Sequence, residues 1–324
     1  MIPAEFMAFE QVVTVGCANF ERGNTKAESL ARIESDLREA AAQGVNILVF
    51  PEGALAGTID CSCRFDGGAC QGHRDQAETV PGPSTARIAT LARELDVYAV
   101  FGMGERDPDD PSLLYNAAAV VGPEGILGTY RKVHLGTLPL LTEGITYRPG
   151  SSLPLFATRY GPIGVLVDFD FWFNPELSRI LMMKGARLLV NPSGTFNGSG
   201  TRDDIVNTTC VRAQENLVYT ASACLVGSAQ GAEHSPGQLS HPRADDYPGH
   251  SVIAGPAFPR HSQVYVEAGD REEIVSATLS FEKLHRWDSV FPMRQWRSGR
   301  QLGASRLIAD EFAALANETA GVPV

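Results

Sequence analysis

The sequence predicts an α/β protein in which two helix-covered sheets pack against one another. Three stretches carry that expectation. In Gly161–Asn191 the apolar, β-branched run Ile163–Val167 suits a buried strand. Leu177, Ile180, Leu181 and Lys184 follow Pro175 at helical spacing, and Arg187–Val190 is a second strand. Strand, polar turn, helix and strand make a βαβ unit. Gln11–Ala18, the helical pattern of Leu30, Ile33, Leu37 and Ala41, and Asn46–Phe50 form another. Tyr115–Val121 and Gly125–Tyr130 read as an antiparallel hairpin across Pro123-Glu124-Gly125, so the sheets are mixed.

Taken in order, Gly57–Pro83 is an irregular insert beside the end of the second strand, and Ser84–Leu95 is a helix leading into strand Tyr98–Gly102. Ile205–Gln214 has helical spacing, Tyr219–Val226 is a strand and Gly227–Gly249 is loop. Ser251–Ala254, Val264–Glu267 and Ile274–Leu279 are short strands, Leu284–Arg300 is a Trp- and Arg-bearing tail, and Ala304–Leu315 is a last helix. No repeat or linker divides the chain before about Ser280, which predicts a main domain over 1–280 and a C-terminal extension over 281–324.

The composition narrows the function classes. A net charge of −11 argues against a nucleic-acid partner. No apolar run reaches membrane-spanning length, and the acidic start MIPAEFMAFEQVVTVG does not read as a signal peptide, so a cytoplasmic location is expected. Cys17, Cys210 and Cys224 fall in apolar or helical patterns as small core fillers. Cys61, Cys63, Cys70 and His73 lack a standard zinc spacing, so thiols on a structured loop are favoured over zinc or a disulfide. Gly102-Met103-Gly104 lacks the third glycine and the helix of a dinucleotide site. No cofactor or metal is expected.

The chemistry-bearing candidates are acids and a lysine at strand ends. Glu52 follows strand Asn46–Phe50, Asp168 and Asp170 follow Ile163–Val167, and Lys132 leaves the hairpin before a loop that reaches Glu143. A solvent-facing Glu52, a Lys132–Glu143 salt bridge and helix capping by Asp168 or Asp170 are the structural alternatives.

Together NILVFPEGALAGT, GTYRKVHL, LTEGITYRPG, GVLVDFDFWFNPELSR, GARLLVNPS and VRAQENLVYTASACLVG resemble the nitrilase, or carbon–nitrogen hydrolase, family in order and separation. The resemblance implies a four-layer αββα sandwich, no cofactor, a small-molecule substrate and a homodimer or larger assembly. It places Glu52 as general base, Lys132 as stabiliser of the tetrahedral intermediate and Glu143 as the second glutamate. Phe169, Trp172, Phe196 and Asn197 would line the substrate cavity, with sheet–helix packing as the alternative for Trp172.

The family's nucleophilic cysteine is replaced by Asp168. Val167, Phe169 and an extra residue before Pro175 also depart from the family pattern, so the aspartate reads as natural rather than engineered. An aspartate attacking an amide would form an anhydride, a high-energy acyl-enzyme. A hydrolase in which Glu52 and Asp168 activate water against a non-peptide carbon–nitrogen bond, with Lys132 stabilising negative charge, is therefore expected ahead of a ligand-binding or regulatory protein that has lost its nucleophile. Displacement by Asp168 at an electrophilic carbon is a further enzymatic possibility.

Overall fold

A computed structural model describes residues 8–57, 70–136, 143–228, 246–291 and 302–319. The first sheet holds β1 (Val12–Asn19), β2 (Ile47–Val49), β3 (Tyr98–Arg106), β4 (Leu114–Gly122), β5 (Gly125–Arg131) and β14 (Glu273–Ser280), in the order β14-β1-β2-β3-β4-β5. The second holds β6 (Leu155–Thr158), β7 (Gly161–Val165), β8 (Leu188–Ser193), β9 (Tyr219–Cys224), β12 (Val252–Ala257) and β13 (Arg260–Glu267), in the order β13-β12-β9-β8-β7-β6. β1, β2 and β3 are mutually parallel, as are β7, β8 and β9, and the flanking pairs are antiparallel.

Period-two alternation builds the layers. Val13, Val15, Ile47, Val49, Tyr98 and Val100 face the second sheet, where Ile163, Val165, Val190 and Ala221 meet them. Their neighbours Leu48, Phe50, Ala99 and Phe101 face outward beneath helices α1 (Lys26–Ala42) and α3 (Pro83–Leu95). Thr25 caps α1 by accepting from the Glu28 amide, and Ile33, Leu37 and Ala40 bury its inner stripe. α6 (Pro175–Met183) starts on proline, and with α7 (Thr201–Asn216) it covers the second sheet through Leu177, Leu181, Ile205 and Ala213. The expected αββα sandwich is what forms.

Several elements were not legible as such. β6 pairs with β7 where no strand was expected, and the tail begins with helix α8 (Phe281–Val290), whose Phe281 and Leu284 enter the inter-sheet core. The described part of the 57–83 insert contains the short helix α2 (Gln71–Gln76). Short helices α4 (Glu143–Thr146) and α5 (Phe169–Trp172) carry site residues, and β10 (Val226–Ser228) pairs with β11 (Asp246–Pro248) at the margins of the loop expected over 227–249. A final helix, α9, spans Leu302–Thr319. Cys61 and Cys63 lie outside the described residues, and Cys70 is buried at the start of α2.

Candidate active site

The strand ends of both sheets converge on Lys132, which leaves β5 held by a rigid frame. The preceding Arg131 forks onto Glu105 of β3, Nε to Oε2 at 3.0 Å and Nη2 to Oε1 at 2.7 Å, and its guanidinium lies 3.8 Å from the Tyr115 ring centroid. On the far side of the lysine, buried Asp170 accepts from the Tyr130 hydroxyl (2.5 Å), the Val133 amide (2.7 Å) and the His134 amide (2.8 Å), with His134 Nδ1 2.7 Å away. Asp170 is thus a fastener between β5 and α5 rather than a helix cap.

The Lys132 side chain is 3% exposed. Its Nζ donates to Glu52 Oε1 at 2.9 Å and Glu143 Oε2 at 3.0 Å, and lies 3.8 Å from Asp168 Oδ2. Asn116 of β4 spans the two glutamates, giving Nδ2 hydrogens to Glu52 Oε1 (2.6 Å) and Glu143 Oε1 (2.5 Å). The Gly136 amide donates to Glu143 Oε2 at 2.8 Å. Two glycines make room for Glu52. A Cβ on Gly102 would meet the Gly53 nitrogen at 2.3 Å, and one on Gly194 would meet Glu52 Oε2 at 2.7 Å.

Three carboxylates around one ammonium leave an excess of negative charge. Burial raises the Glu52 carboxyl to about 8, with Asp168 and Glu143 adding to the rise and Lys132 opposing it. Burial alone would depress Lys132, but Glu52, Glu143 and Asp168 outweigh it and hold the ammonium well above its ordinary range. At neutral pH Glu52 is therefore mostly protonated and Lys132 is charged.

Asp168 stands where β7 gives way to α5, with φ 47° and ψ −106°. This sharp turn lies outside ordinary L-residue conformations and aims the side chain into the site. Its amide donates to Asn191 Oδ1 (3.0 Å) and to the Pro192 carbonyl (3.1 Å). Its Oδ1 accepts from Trp172 Nε1 (3.0 Å), Ser193 Oγ (2.9 Å) and Thr195 Oγ1 (2.9 Å). Cys224, paired in register with Ser193 at the end of β9, is buried, and burial and nearby Asp168 push its thiol far up, so no thiolate forms there.

The structure thus brings Glu52, Lys132, Glu143 and Asp168 together. Phe169 lies beside them, its ring centroid 5.1 Å from Lys132 Nζ. Trp172 is half-buried with its indole nitrogen on Asp168, while Phe196 stacks on Tyr247 with half-buried Asn197 following it. Asn116, Ser193 and Thr195 escaped the sequence reading. Asn116 had a signal, as a polar residue inside the apolar strand LYNAAAVVG. Among the described residues no group of three His, Cys, Asp or Glu side chains is placed to hold a metal ion.

Comparison with known proteins adds to this geometry. The family profile described as carbon–nitrogen hydrolase matches residues 14–289. A nitrilase of Pyrococcus abyssi is 32% identical over 261 residues, covering 79% of this chain and 82% of the relative. The human omega-amidase NIT2 is 30% identical over 285 residues, covering 84% and 91%. Among solved structures, Saccharomyces cerevisiae Nit3, of branch 10 of the nitrilase superfamily, superposes with a TM-score of 0.70 at 24% identity, covering 88% of this chain and 96% of that one.

Proposed function

The chain belongs to the carbon–nitrogen hydrolase family, and within it we propose a hydrolase that cleaves an activated, non-peptide carbon–nitrogen bond of a small molecule without a thiolate. The observation that carries this reading is Lys132, buried and in contact with Glu52, Glu143 and Asp168 at one strand-end junction. A simple structural ion pair needs one acid; here burial, with the extra acids adding to it, keeps Glu52 up at about 8, in the range where a carboxyl exchanges protons near neutrality.

In this mechanism Glu52 takes a proton from a water held between it and Asp168 Oδ2. The water oxygen attacks the amide or nitrile carbon, and Lys132 stabilises the negative charge that develops on the substrate. Glu143, fixed by Asn116 and the Gly136 amide, holds the lysine in place. With an amide, proton return from Glu52 to the leaving nitrogen releases the amine or ammonia; a nitrile takes up this first water to become the amide and needs a second water to release ammonia. Phe169, Trp172, Phe196 and Asn197 line the substrate cavity. The names of the nitrilase and omega-amidase relatives support a nitrile or amide as the substrate class.

The test is product detection across small amides, nitriles and carbamoyl compounds, with Asp168→Asn, Asp168→Cys and Glu52→Gln alongside. Turnover by the wild type that is lost in Asp168→Asn and Glu52→Gln supports the carboxylate site. An inert wild type whose Asp168→Cys variant acquires amidase activity would instead make the protein a ligand-binding or regulatory one that has given up its nucleophile.

The reading carries a cytoplasmic location, which fractionation tests; among the described residues no helix is long and apolar enough to cross a membrane. It also treats the part of 281–324 beyond α8, whose Phe281 and Leu284 belong to the core, as an extension at the interface of a homodimer or larger assembly. Exposed Leu307, Ile308 and Phe312 on α9 support that arrangement. Gel filtration showing only monomer would count against it.

A further inference from the structure

The two oxygens of Asp168 have unequal surroundings. Oδ1 accepts from the Trp172 indole, the Ser193 hydroxyl and the Thr195 hydroxyl at 2.9–3.0 Å. Oδ2 faces Lys132 Nζ at 3.8 Å, beyond hydrogen-bond reach, and accepts no hydrogen bond among the described residues. Three donors on one oxygen hold the resting carboxylate and are also aimed at the atom on which a full negative charge would develop if Oδ2 were esterified, the arrangement an oxyanion hole requires.

Oδ1 acquires that charge in one reaction: hydrolysis of an ester formed through Oδ2. Attack by Oδ2 on an amide carbonyl would give an anhydride, whereas attack on a saturated carbon gives an ordinary ester. Glu52, which also touches Lys132, holds a proton at neutral pH and can give it to an alkoxide leaving group.

We propose that the site has a second activity, the hydrolysis of small epoxides through an ester on Asp168, with Trp172, Ser193 and Thr195 as the oxyanion hole for breakdown of that ester. This rests on the reading of Asp168 as the substrate-facing acid and does not require carbon–nitrogen cleavage. In the first step the Oδ2–carbon bond forms, the ring carbon–oxygen bond breaks, and its electron pair takes the Glu52 proton, leaving a hydroxyalkyl ester and ionised Glu52. In the second, Glu52 removes a proton from water and the water oxygen attacks Asp168 Cγ, placing the negative charge on Oδ1. Collapse breaks the Cγ–Oδ2 bond and Oδ2 leaves with the product. The departing alkoxide takes the acid proton of the newly formed carboxyl group, so the diol departs, Asp168 returns as a carboxylate and Glu52 is again protonated.

The test is a single turnover of styrene oxide by excess enzyme in ¹⁸O-water, with mass analysis of the diol and of the peptide carrying Asp168. The expected result is one heavy oxygen in Asp168 and none in the first diol. Thr195→Val and Ser193→Ala should accumulate the ester adduct, because loss of one oxyanion donor slows its hydrolysis on the order of 10²-fold, and Asp168→Asn should form no adduct. Heavy oxygen in the first-turnover diol, or neither adduct nor diol from the wild type, overturns the proposal. Amide or nitrile turnover, measured separately on the same preparation, shows whether the carbon–nitrogen reading stands or falls independently.

Discussion

Replacing Asp168 by Asn tests the site with almost no change of shape. Three donors converge on Oδ1, so the Asn carbonyl oxygen must take that place, and its NH2 must face Lys132 Nζ where Oδ2 stood 3.8 Å away. The lost attraction to the ammonium is about 4 kcal/mol at an effective dielectric of 20. It is offset by relief of repulsion from Glu143 and by the absence of a buried charge, so the melting temperature should move by only about 5 °C or less. Asp168→Ala instead removes the acceptor shared by Trp172, Ser193 and Thr195; the three still bond one another, so the expected loss is about 1–3 kcal/mol in all, leaving it less stable than Asp168→Asn. Activity should respond in the opposite order of sensitivity. Loss of a positioned acid–base group costs about 10²–10⁴ in kcat/KM, so Asp168→Asn should be nearly inert while remaining folded. Paired steady-state assays and thermal melts check this. Turnover of Asp168→Asn within about threefold of wild type would refute the assignment, since that is far below the effect of removing such a group.

Four other expectations follow from the same geometry. Glu52 faces Lys132, Asp168 and Glu143 and titrates at about 8, so carbon–nitrogen hydrolysis, which needs its ionised form, should rise about tenfold from pH 7 to 9 and then level, whereas epoxide opening should fall over that range. Because Glu52 in the folded chain titrates above its ordinary 4.5, the native state holds more protons between those values; stability should fall as pH rises from about 5 to 8 and then flatten, a slope that melts of Glu52→Gln should lack. Asp170→Asn should present an NH2 either to the Tyr130 and Val133 donors or to His134, lowering stability by about 3 kcal/mol in denaturant titrations and reducing kcat by displacing Lys132. Gly194→Ala should push Glu52 aside and reduce activity at near-normal stability, whereas Gly102→Ala should destabilise the fold, because its obstruction is backbone.

Strand and helix positions were legible because the apolar periods are clean. Val13, Val15 and Cys17 alternate with their outward neighbours, and Ile33 and Leu37 fall one helical turn apart. Glu52, Lys132 and Asp168 were legible because each follows a strand run, where a polar residue needs a reason, whereas Glu143, in a loop, was legible through the family resemblance. Asn116 carried that same signal in β4 and went unread. Ser193 and Thr195 gave none, since NPSGT looks like any turn and their role depends on the backbone angle at Asp168. Helix α8 was hidden because its buried residues serve the inter-sheet core and its polar ones make the segment read as a tail.

The Asp170 anchorage separates two jobs that occupy almost the same place in the chain. It clamps the exit of β5 to the start of α5 through Tyr130, Val133 and His134, fixing the distance between Lys132 and the sharp turn at Asp168 from a position two residues beyond the reactive one. Residue 168 is then a socket: its side chain can be exchanged while the surrounding machinery keeps its alignment. Such a layout lets a lineage try a new reactive group in a single mutational step, because the register of the site does not depend on the group being tried.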